Sequence, residues 1–297
     1  MKSITVFTPT FNRAYCLDQL YESLVNQTNQ NFIWLVIDDG SSDGTKKKIE
    51  DWQKENKIDI AYLYKENGGM HTGHNAAYAY ITTELNVCID SDDFLPLDAI
   101  AIVLKYWEDN KSEELAGMIG LDAFKDGTIV GTPFPKGMKE CKYYELKSKF
   151  NVVGDKKFVY RTDVIKKYPE YPVFVDERFV PLGYKYLLID QEYNLGVIHD
   201  VLCIVEYMPD GSSKNIIKQY RKNPKGFAFE RKVRMKYSST FMERFMNAVH
   251  YVSCSIFLKN ASFLTESTNK ILTFFAIPFG IVLHLYVRNT TKTSVMK

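Results

Sequence analysis

Asn86-Val87-Cys88-Ile89-Asp90-Ser91-Asp92-Asp93-Phe94 is a short apolar run that ends in three carboxylates. Read as a buried strand, it presents Asp90, Asp92 and Asp93 at the carboxyl edge of a sheet, where open α/β folds bind ligands. Three like charges within four residues repel one another, and a hard divalent cation bridging them to a substrate phosphate relieves that repulsion. A solvated turn, with Asp93 capping the helix that follows Leu95-Pro96-Leu97, is the alternative reading of the same residues. The flanking sequence decides between the two.

Upstream, three more apolar runs read as strands: Ile4 to Thr8, Phe32 to Ile37 and Ile60 to Tyr64. Each breaks into a polar loop. The first is Pro9-Thr10-Phe11-Asn12-Arg13, before a helical pattern through Leu17, Leu20, Leu24 and Val25. The second is Asp38-Asp39-Gly40-Ser41-Ser42-Asp43-Gly44-Thr45, before a helix around Ile49 and Trp52. The third runs from Lys65 through Gly68-Gly69 to Asn75, with a helix expected from about Ala76. Strands alternating with helices predict a parallel sheet with right-handed crossovers, so all four loops converge on one edge. There Asp38 and Asp39 offer acceptors for a ribose or a base edge, and Arg13 with the loop amides suits phosphate. Gly68-Gly69 matches neither a P-loop nor a dinucleotide fingerprint, and His71 and His74 are left unassigned to metal.

Downstream, Asp98 to Trp107 reads as a helix, and Leu115 to Val130 as a strand and hairpin turning at Lys125-Asp126-Gly127-Thr128. The stretch from Pro133 to Lys149 predicts a loop and short helix over the site. Gly154 to Arg161 reads as a strand leading into a helix over Thr162 to Tyr168. A last strand is expected at Leu202 to Tyr207, then a polar loop, Pro209-Asp210-Gly211-Ser212-Ser213, closing near a diphosphate.

Composition sets outer bounds. With 297 residues, 45% hydrophobic and 25% charged, the chain can bury one large core plus an appendage. Its five cysteines have no paired spacing, which argues against a disulfide framework or a zinc site. Met1 to Phe7 lacks the apolar core of a signal peptide, so the expected compartment is the cytoplasm.

Taken together, Thr8-Pro9-Thr10-Phe11-Asn12-Arg13, Ile37-Asp38-Asp39-Gly40-Ser41-Ser42-Asp43-Gly44-Thr45, Asn67-Gly68-Gly69 with Asn75-Ala76-Ala77, and Asp90-Ser91-Asp92-Asp93 resemble the ordered motif set of family 2 glycosyltransferases. The resemblance covers about the first 105 residues and points to enzymes of bacterial surface polysaccharides such as capsule. It implies a GT-A fold, an α/β architecture with a mainly parallel sheet flanked by helices. It also implies a nucleotide diphospho-sugar donor, a UDP-sugar foremost, a Mn²⁺ or Mg²⁺ cofactor, and transfer with inversion. Carried over by position, Thr8, Thr10, Asn12, Arg13, Asp38, Asp39, Asn67 and Gly68 bind the nucleotide. Asp90 faces the ribose or sugar, and Asp92 ligates the metal with Asp90. Residues 1–105 then form the nucleotide-sugar half of a catalytic domain, 106–215 its acceptor half, and 216–297 a helical appendage.

Such a reaction needs a general base for the acceptor hydroxyl. Val173 to Phe179 resembles the segment before the family's Glu-Asp pair, but Pro181-Leu182-Gly183-Tyr184-Lys185 stands where the pair is expected. Glu177, Asp155, Asp176 and Asp190 are the remaining acids in this stretch, and Glu177 is placed ahead of Asp155 as the base.

The appendage gathers Lys218, Arg221, Lys222, Lys225, Arg231, Lys232, Arg234 and Lys236 against Glu230 alone. Apolar segments follow at Phe241 to Leu258 and Ile271 to Val287, the latter interrupted by Pro278, Gly280 and His284. This pattern predicts a helix pair lying on the inner face of the cell membrane, and the resemblance implies a lipid-linked or glycan acceptor there. A hairpin packed on the catalytic domain or a homodimer is the alternative. Nucleic acid is not expected, since no recognition motif accompanies the basic stripe. Two further readings are a catalytically silent sugar-nucleotide-binding or membrane scaffold, and a nucleotidyltransferase-like enzyme.

Overall fold

Largely apolar runs become adjacent parallel strands, of which the first, second and fourth are mostly buried and the third, at the sheet edge, only partly so. These are β1 (Ile4–Thr10), β2 (Phe32–Asp38), β3 (Ile60–Tyr64) and β4 (Leu85–Cys88), ordered β3-β2-β1-β4 in a computed structural model that describes residues 2–206 and 216–292. Their registers align Thr10 with Asp38 and Asp38 with Tyr64, so the loops after these strands start at one edge. One face of the sheet packs Ile4, Val6, Trp34 and Val36 against α1 (Leu17–Val25) and α2 (Thr45–Glu55), with Tyr21 stacked on Trp52 at 4.2 Å. On the other face Phe7 meets His74 and Tyr78 of α3 (Met70–Tyr80) edge-on, at 5.0 and 5.6 Å.

Helix α3 begins six residues before the position expected from sequence, which moves His71 and His74 from a loop into a helix. Two glycines are poor helix formers, but Gly69 sits at φ 93°, a conformation that costs glycine little. The amides of Gly68 and Gly69 also donate to the Asp39 carboxylate, so a side chain about thirty residues upstream fixes the turn that leads into the helix.

After α4 (Ala99–Asn110), β5 (Leu115–Ala123) carries the expected turn, with the Phe124 amide donating to Thr128 and the Gly127 amide to Phe124. The sheet continues through β6 (Glu140–Cys141), α5 (Tyr143–Phe150), β7 (Lys156–Arg161), α6 (Thr162–Lys167) and, after α7 (Gly183–Glu192), β8 (Asn194–Ile204). Strand β7 lies antiparallel between β4 and β5, which completes the order β3-β2-β1-β4-β7-β5-β8-β6. The sheet is therefore mixed, with its first four strands parallel. The last strand is longer than expected and begins at Asn194, while Tyr207 and the loop Pro209–Ser213 lie outside the described residues.

Residues 130–132 and 152–154 cross closely. Gly131 and Gly154 both have positive φ, and a Cβ on either would collide with the other segment's backbone. The Lys156 ammonium ties the crossing, donating to the carbonyls of Val130, Val153, Gly154 and Asp155 at 3.1, 3.1, 3.4 and 3.2 Å.

The chain divides into two compact units, Met1–Glu170 with Glu192–Met208, and Tyr171–Gln191 with Pro209–Lys297. This departs from a boundary near residue 215, because Tyr171–Gln191 belongs with the C-terminal helices. Phe179 stacks on Phe227 at 5.4 Å, and Tyr184 meets Phe229 edge-on at 5.0 Å. The second unit contains α8 (Ile216–Lys222), α9 (Pro224–Tyr237), α10 (Phe241–Phe257), α11 (Phe263–Glu266) and α12 (Lys270–Lys292). Its core joins Tyr220, Phe227, Met235, Tyr251, Val252 and Ala276. The basic stretch is partly neutralised inside this unit, since buried Glu230 pairs with both Arg231 and Arg234.

Candidate functional site

In the first unit the loops after β1 and β2 lock together. Asn12 adopts φ 54°, its amide donates to Ser41 Oγ at 2.9 Å, and its Oδ1 accepts from the Ser42 amide at 2.8 Å. Arg13 then reaches Asp92, with Nη1 3.5 Å from Oδ2. The acidic strand end and the loop after β1 are thus one electrostatic unit.

Asp39 organises the third loop. Its oxygens accept from the Gly68 and Gly69 amides at 3.0 and 2.7 Å and from Lys65 Nζ, while its carbonyl accepts from Asn67 Nδ2 at 2.8 Å. Gly40 makes room for this, because a Cβ there would fall 2.8 Å from the Asn67 nitrogen. Beneath the clamp, His71 is 1% exposed and neither ring nitrogen has a hydrogen-bond partner. Burial pushes its pKa down to about 4, helped by Lys65 and opposed by Asp39, so the imidazole is neutral.

Two residues expected at the donor are turned inward. The Thr8 hydroxyl accepts from Trp34 Nε1 at 3.0 Å and is fully buried. The Asp38 oxygens are taken by the Ser41 amide at 2.7 Å and the Tyr62 hydroxyl at 2.6 Å. In both, the fold already supplies hydrogen-bond partners that shape the loop. Thr10 differs, since its buried hydroxyl has no partner at the end of β1.

A buried cluster under the acidic strand end has no counterpart in the sequence reading. Lys157 Nζ on β7 lies 3.8 Å from Asp93 Oδ2, and Asp93 also accepts from the Glu206 amide at 3.2 Å. Asp122, 2% exposed on β5, leaves Oδ1 without a hydrogen-bond partner. Burial pushes Asp93 up to about 7 against the pull of Lys157, and Asp122 up to about 6. Burial disfavours the Lys157 charge, but Asp122, Cys203, Asp93 and Asp90 outweigh it and hold the ammonium protonated. The cluster gives Asp90, Asp92 and Asp93 a counter-charge from below. In the sequence it is marked only by charged residues scattered over separate strands, Lys157 on β7 and Asp122 on β5.

For a metal, no group of three candidate ligands gathers among the described residues. Asp90 and Asp92 remain partly exposed at the strand end, and a magnesium-like cation needs only one or two carboxylates when substrate phosphates complete its shell. The pair fits that role.

Asp155, exposed at the start of β7, stands at the same sheet edge, since Lys156 pairs with Leu121 and Val159 with Val87. In the second unit Asp176 is 82% exposed beside Lys225, and Glu177 is buried. The Glu177 oxygens accept from the Lys225 and Gly226 amides at 2.7 and 2.8 Å, at the first turn of α9. The helix start thus engages both oxygens of Glu177. Glu177→Ala is therefore expected to destabilise the protein by about 1–2 kcal/mol, as loss of a helix cap does. Urea denaturation checks it, and an unchanged midpoint counts against the capping role.

The sequence profile of glycosyl transferase family 2 matches residues 5–168, more than half of the 297. The chain belongs to glycosyl transferase family 2. Among curated family 2 relatives, an uncharacterized glycosyltransferase of Rickettsia bellii is 29% identical over 146 residues, 46% of this chain and 21% of that protein. Poly(ribitol-phosphate) beta-N-acetylglucosaminyltransferase TarP of Staphylococcus aureus is 27% identical over 139 residues, 46% of this chain and 42% of its own. The matches thus span less than half the length of these relatives. The crystal structure of S. aureus TarS 1–349 in complex with UDP-GlcNAc aligns with TM-score 0.63 at 15% identity, covering 99% of this chain and 92% of that one. Mannosyltransferase PcManGT from Pyrobaculum calidifontis, in complex with GDP-Man and Mn²⁺, gives 0.56 at 16% identity, covering 97% and 83%. At such identities the likeness establishes the fold, and the family 2 chain has the GT-A arrangement.

Proposed function

We propose that this chain is an inverting glycosyltransferase that moves a sugar from a nucleoside diphospho-sugar, a UDP-sugar foremost, to a hydroxyl of a lipid-linked or growing surface-glycan acceptor on the cytoplasmic side. The observation that carries the reading is the meeting of the Asp39 loop clamp, the Arg13 loop and the Asp90–Asp92 strand end at one sheet edge. TarS with UDP-GlcNAc and PcManGT with GDP-Man and Mn²⁺ support the donor class.

The residues divide the work. The Asn67–Gly69 loop, fixed by Asp39, and the Thr10–Arg13 turn would bind the nucleoside and diphosphate. Asp92, with Asp90, would hold a divalent cation, Mn²⁺ or Mg²⁺, whose chemistry there is Lewis-acid stabilisation of the leaving diphosphate. Arg13, paired with Asp92 in this structure, is placed to exchange that partner for a phosphate oxygen. The acceptor oxygen forms the new bond at the anomeric carbon, its proton passes to a carboxylate, and the bond to the diphosphate breaks with its electron pair.

For that carboxylate we favour Asp155, which is exposed at this edge, over Glu177 and Asp176. Asp155→Asn is expected to lower kcat by about 10²–10⁴ with little change in donor KM, the range for loss of a general base. The enabling experiment is a thermal-shift panel of nucleoside diphosphates and their sugars with and without Mn²⁺. A Mn²⁺-dependent rise with one nucleoside supports the donor site. No rise with any of them, in a folded sample, overturns it and favours the silent scaffold suggested by the absent Glu-Asp pair.

A further inference from the structure

Helix α12 is apolar on both sides, and only one side is covered. The inner side, with Leu272, Thr273, Ala276, Gly280, Val287 and Thr291, is buried within the second unit. It is pinned there by specific contacts. Thr273 pairs with Ser267 at 2.6 Å, Arg221 donates to Thr291 at 2.6 Å, and a Cβ on Gly280 would fall 2.5 Å from Val252.

The outer side carries Ile271, Phe274, Phe275, Phe279, Val282 and Tyr286, which are 57–74% exposed. The first turn of α10 adds Phe241 and Met242, at 72% and 64%, and Phe245 meets Phe279 edge-on at 5.5 Å. Isolated exposed apolar side chains are ordinary, whereas a face continuous over four turns marks an interaction surface.

Charge identifies the occupant. Between Lys270 and Arg288, both exposed, no residue is charged, and no acid occurs anywhere from Ser267 to Lys297. An antiparallel self-pairing of this face would set Lys270 against Arg288 of the second copy, cation against cation, which disfavours an isologous dimer. Anionic lipid headgroups are complementary to both ends at once. The phenylalanines and tyrosine between are the side chains that enter the headgroup and acyl boundary.

The helix has the length and apolar character of a membrane span. Its packing argues for another orientation. Crossing the bilayer would strip Thr273 and Thr291 of their partners, or draw the Arg231, Glu230 and Arg234 charges of α9 into hydrocarbon.

We infer that the outer face of α12, with the first turn of α10, seats this chain on an anionic lipid bilayer with the helix lying in the membrane plane. The inference does not depend on the transfer reaction proposed above.

Flotation of the full chain with phosphatidylcholine vesicles, with or without phosphatidylglycerol, tests it. The chain is expected to float with the anionic vesicles and to be released by high salt. Phe274→Ser/Phe275→Ser/Val282→Ser, all at exposed positions, should weaken binding at least about a hundredfold without changing the unfolding midpoint. Lys270→Gln/Arg288→Gln should weaken binding to anionic vesicles about tenfold or more and leave the weak binding to neutral ones unchanged. Failure to float with either vesicle overturns the inference. So does a light-scattering dimer that the triple variant breaks without any vesicle binding, which assigns the face to a second copy. Resistance to alkaline carbonate extraction overturns the in-plane orientation in favour of a spanning helix.

Discussion

Asp92→Asn is expected to lower kcat by about a thousandfold or more while leaving the protein folded, because it removes an ionised metal ligand and keeps the side-chain size. Asparagine offers a neutral oxygen and an amide where a hard cation requires charge, and several kcal/mol of leaving-group stabilisation go with it. The cost to folding is small. Asp92 and Arg13 are each 18% exposed and 3.5 Å apart, a separation at which a partly solvated pair contributes at most about 1 kcal/mol. Removing one of three neighbouring carboxylates also relieves repulsion with Asp90 and Asp93. Turnover measured across a Mn²⁺ titration, beside a thermal unfolding curve, separates the two effects. A kcat within about tenfold of the parent at saturating Mn²⁺ would sink the metal assignment.

Lys157→Met should act in the opposite way, on stability first. It leaves Asp93 and Asp122 buried without their cation, and removing one partner of a buried charge cluster costs about 3–5 kcal/mol. The loss is pH-dependent, with a sign set by the carboxyls. Asp122 is raised to about 6 and Asp93 to about 7. Between the unfolded carboxyl range near 4 and those values, the folded protein holds protons that the unfolded chain has released. This contribution to stability therefore falls as pH rises from about 4 to about 7 and is level above that. Without Lys157 both carboxyls titrate higher, so the fall extends past neutral pH. Urea denaturation at pH 5 and pH 8 is expected to show the larger loss at pH 8, with part of it recovered in Lys157→Met/Asp122→Asn. An equal loss at both pH values would mean that the lysine acts through packing alone.

The sheet is legible from sequence because β1, β2 and β4 are mostly buried and the edge strand β3 is half-buried, so each is a largely apolar run ending in polar residues. What escaped depends on partners distant in the chain. Helix α3 starts earlier than its sequence suggests because Gly68-Gly69 has no local reason to precede a helix, and the Asp39 carboxylate that fixes this turn lies in another loop. Thr8 and Asp38 sit inside motifs that read as ligand contacts, yet Trp34 and Tyr62 from neighbouring strands claim their oxygens. Glu177 looked like a proton acceptor because nothing near it in sequence shows that α9 begins against it. Lys157 and Asp122 were invisible for a related reason. Single charges in strands ordinarily face water, and only the order β4-β7-β5 brings them beneath the acidic strand end.

The crossing of residues 130–132 with 152–154 acts as the drawstring of a pouch. The glycine pair and the Lys156 ammonium hold its two ends together. Closing a longer flexible loop costs little, about 0.6 kcal/mol for each doubling of length. The stretch that the crossing encloses also carries β6, which pairs with β8, so it can lengthen only in the loops on either side of that pairing, while the strands that carry Asp90 and Asp155 keep their places.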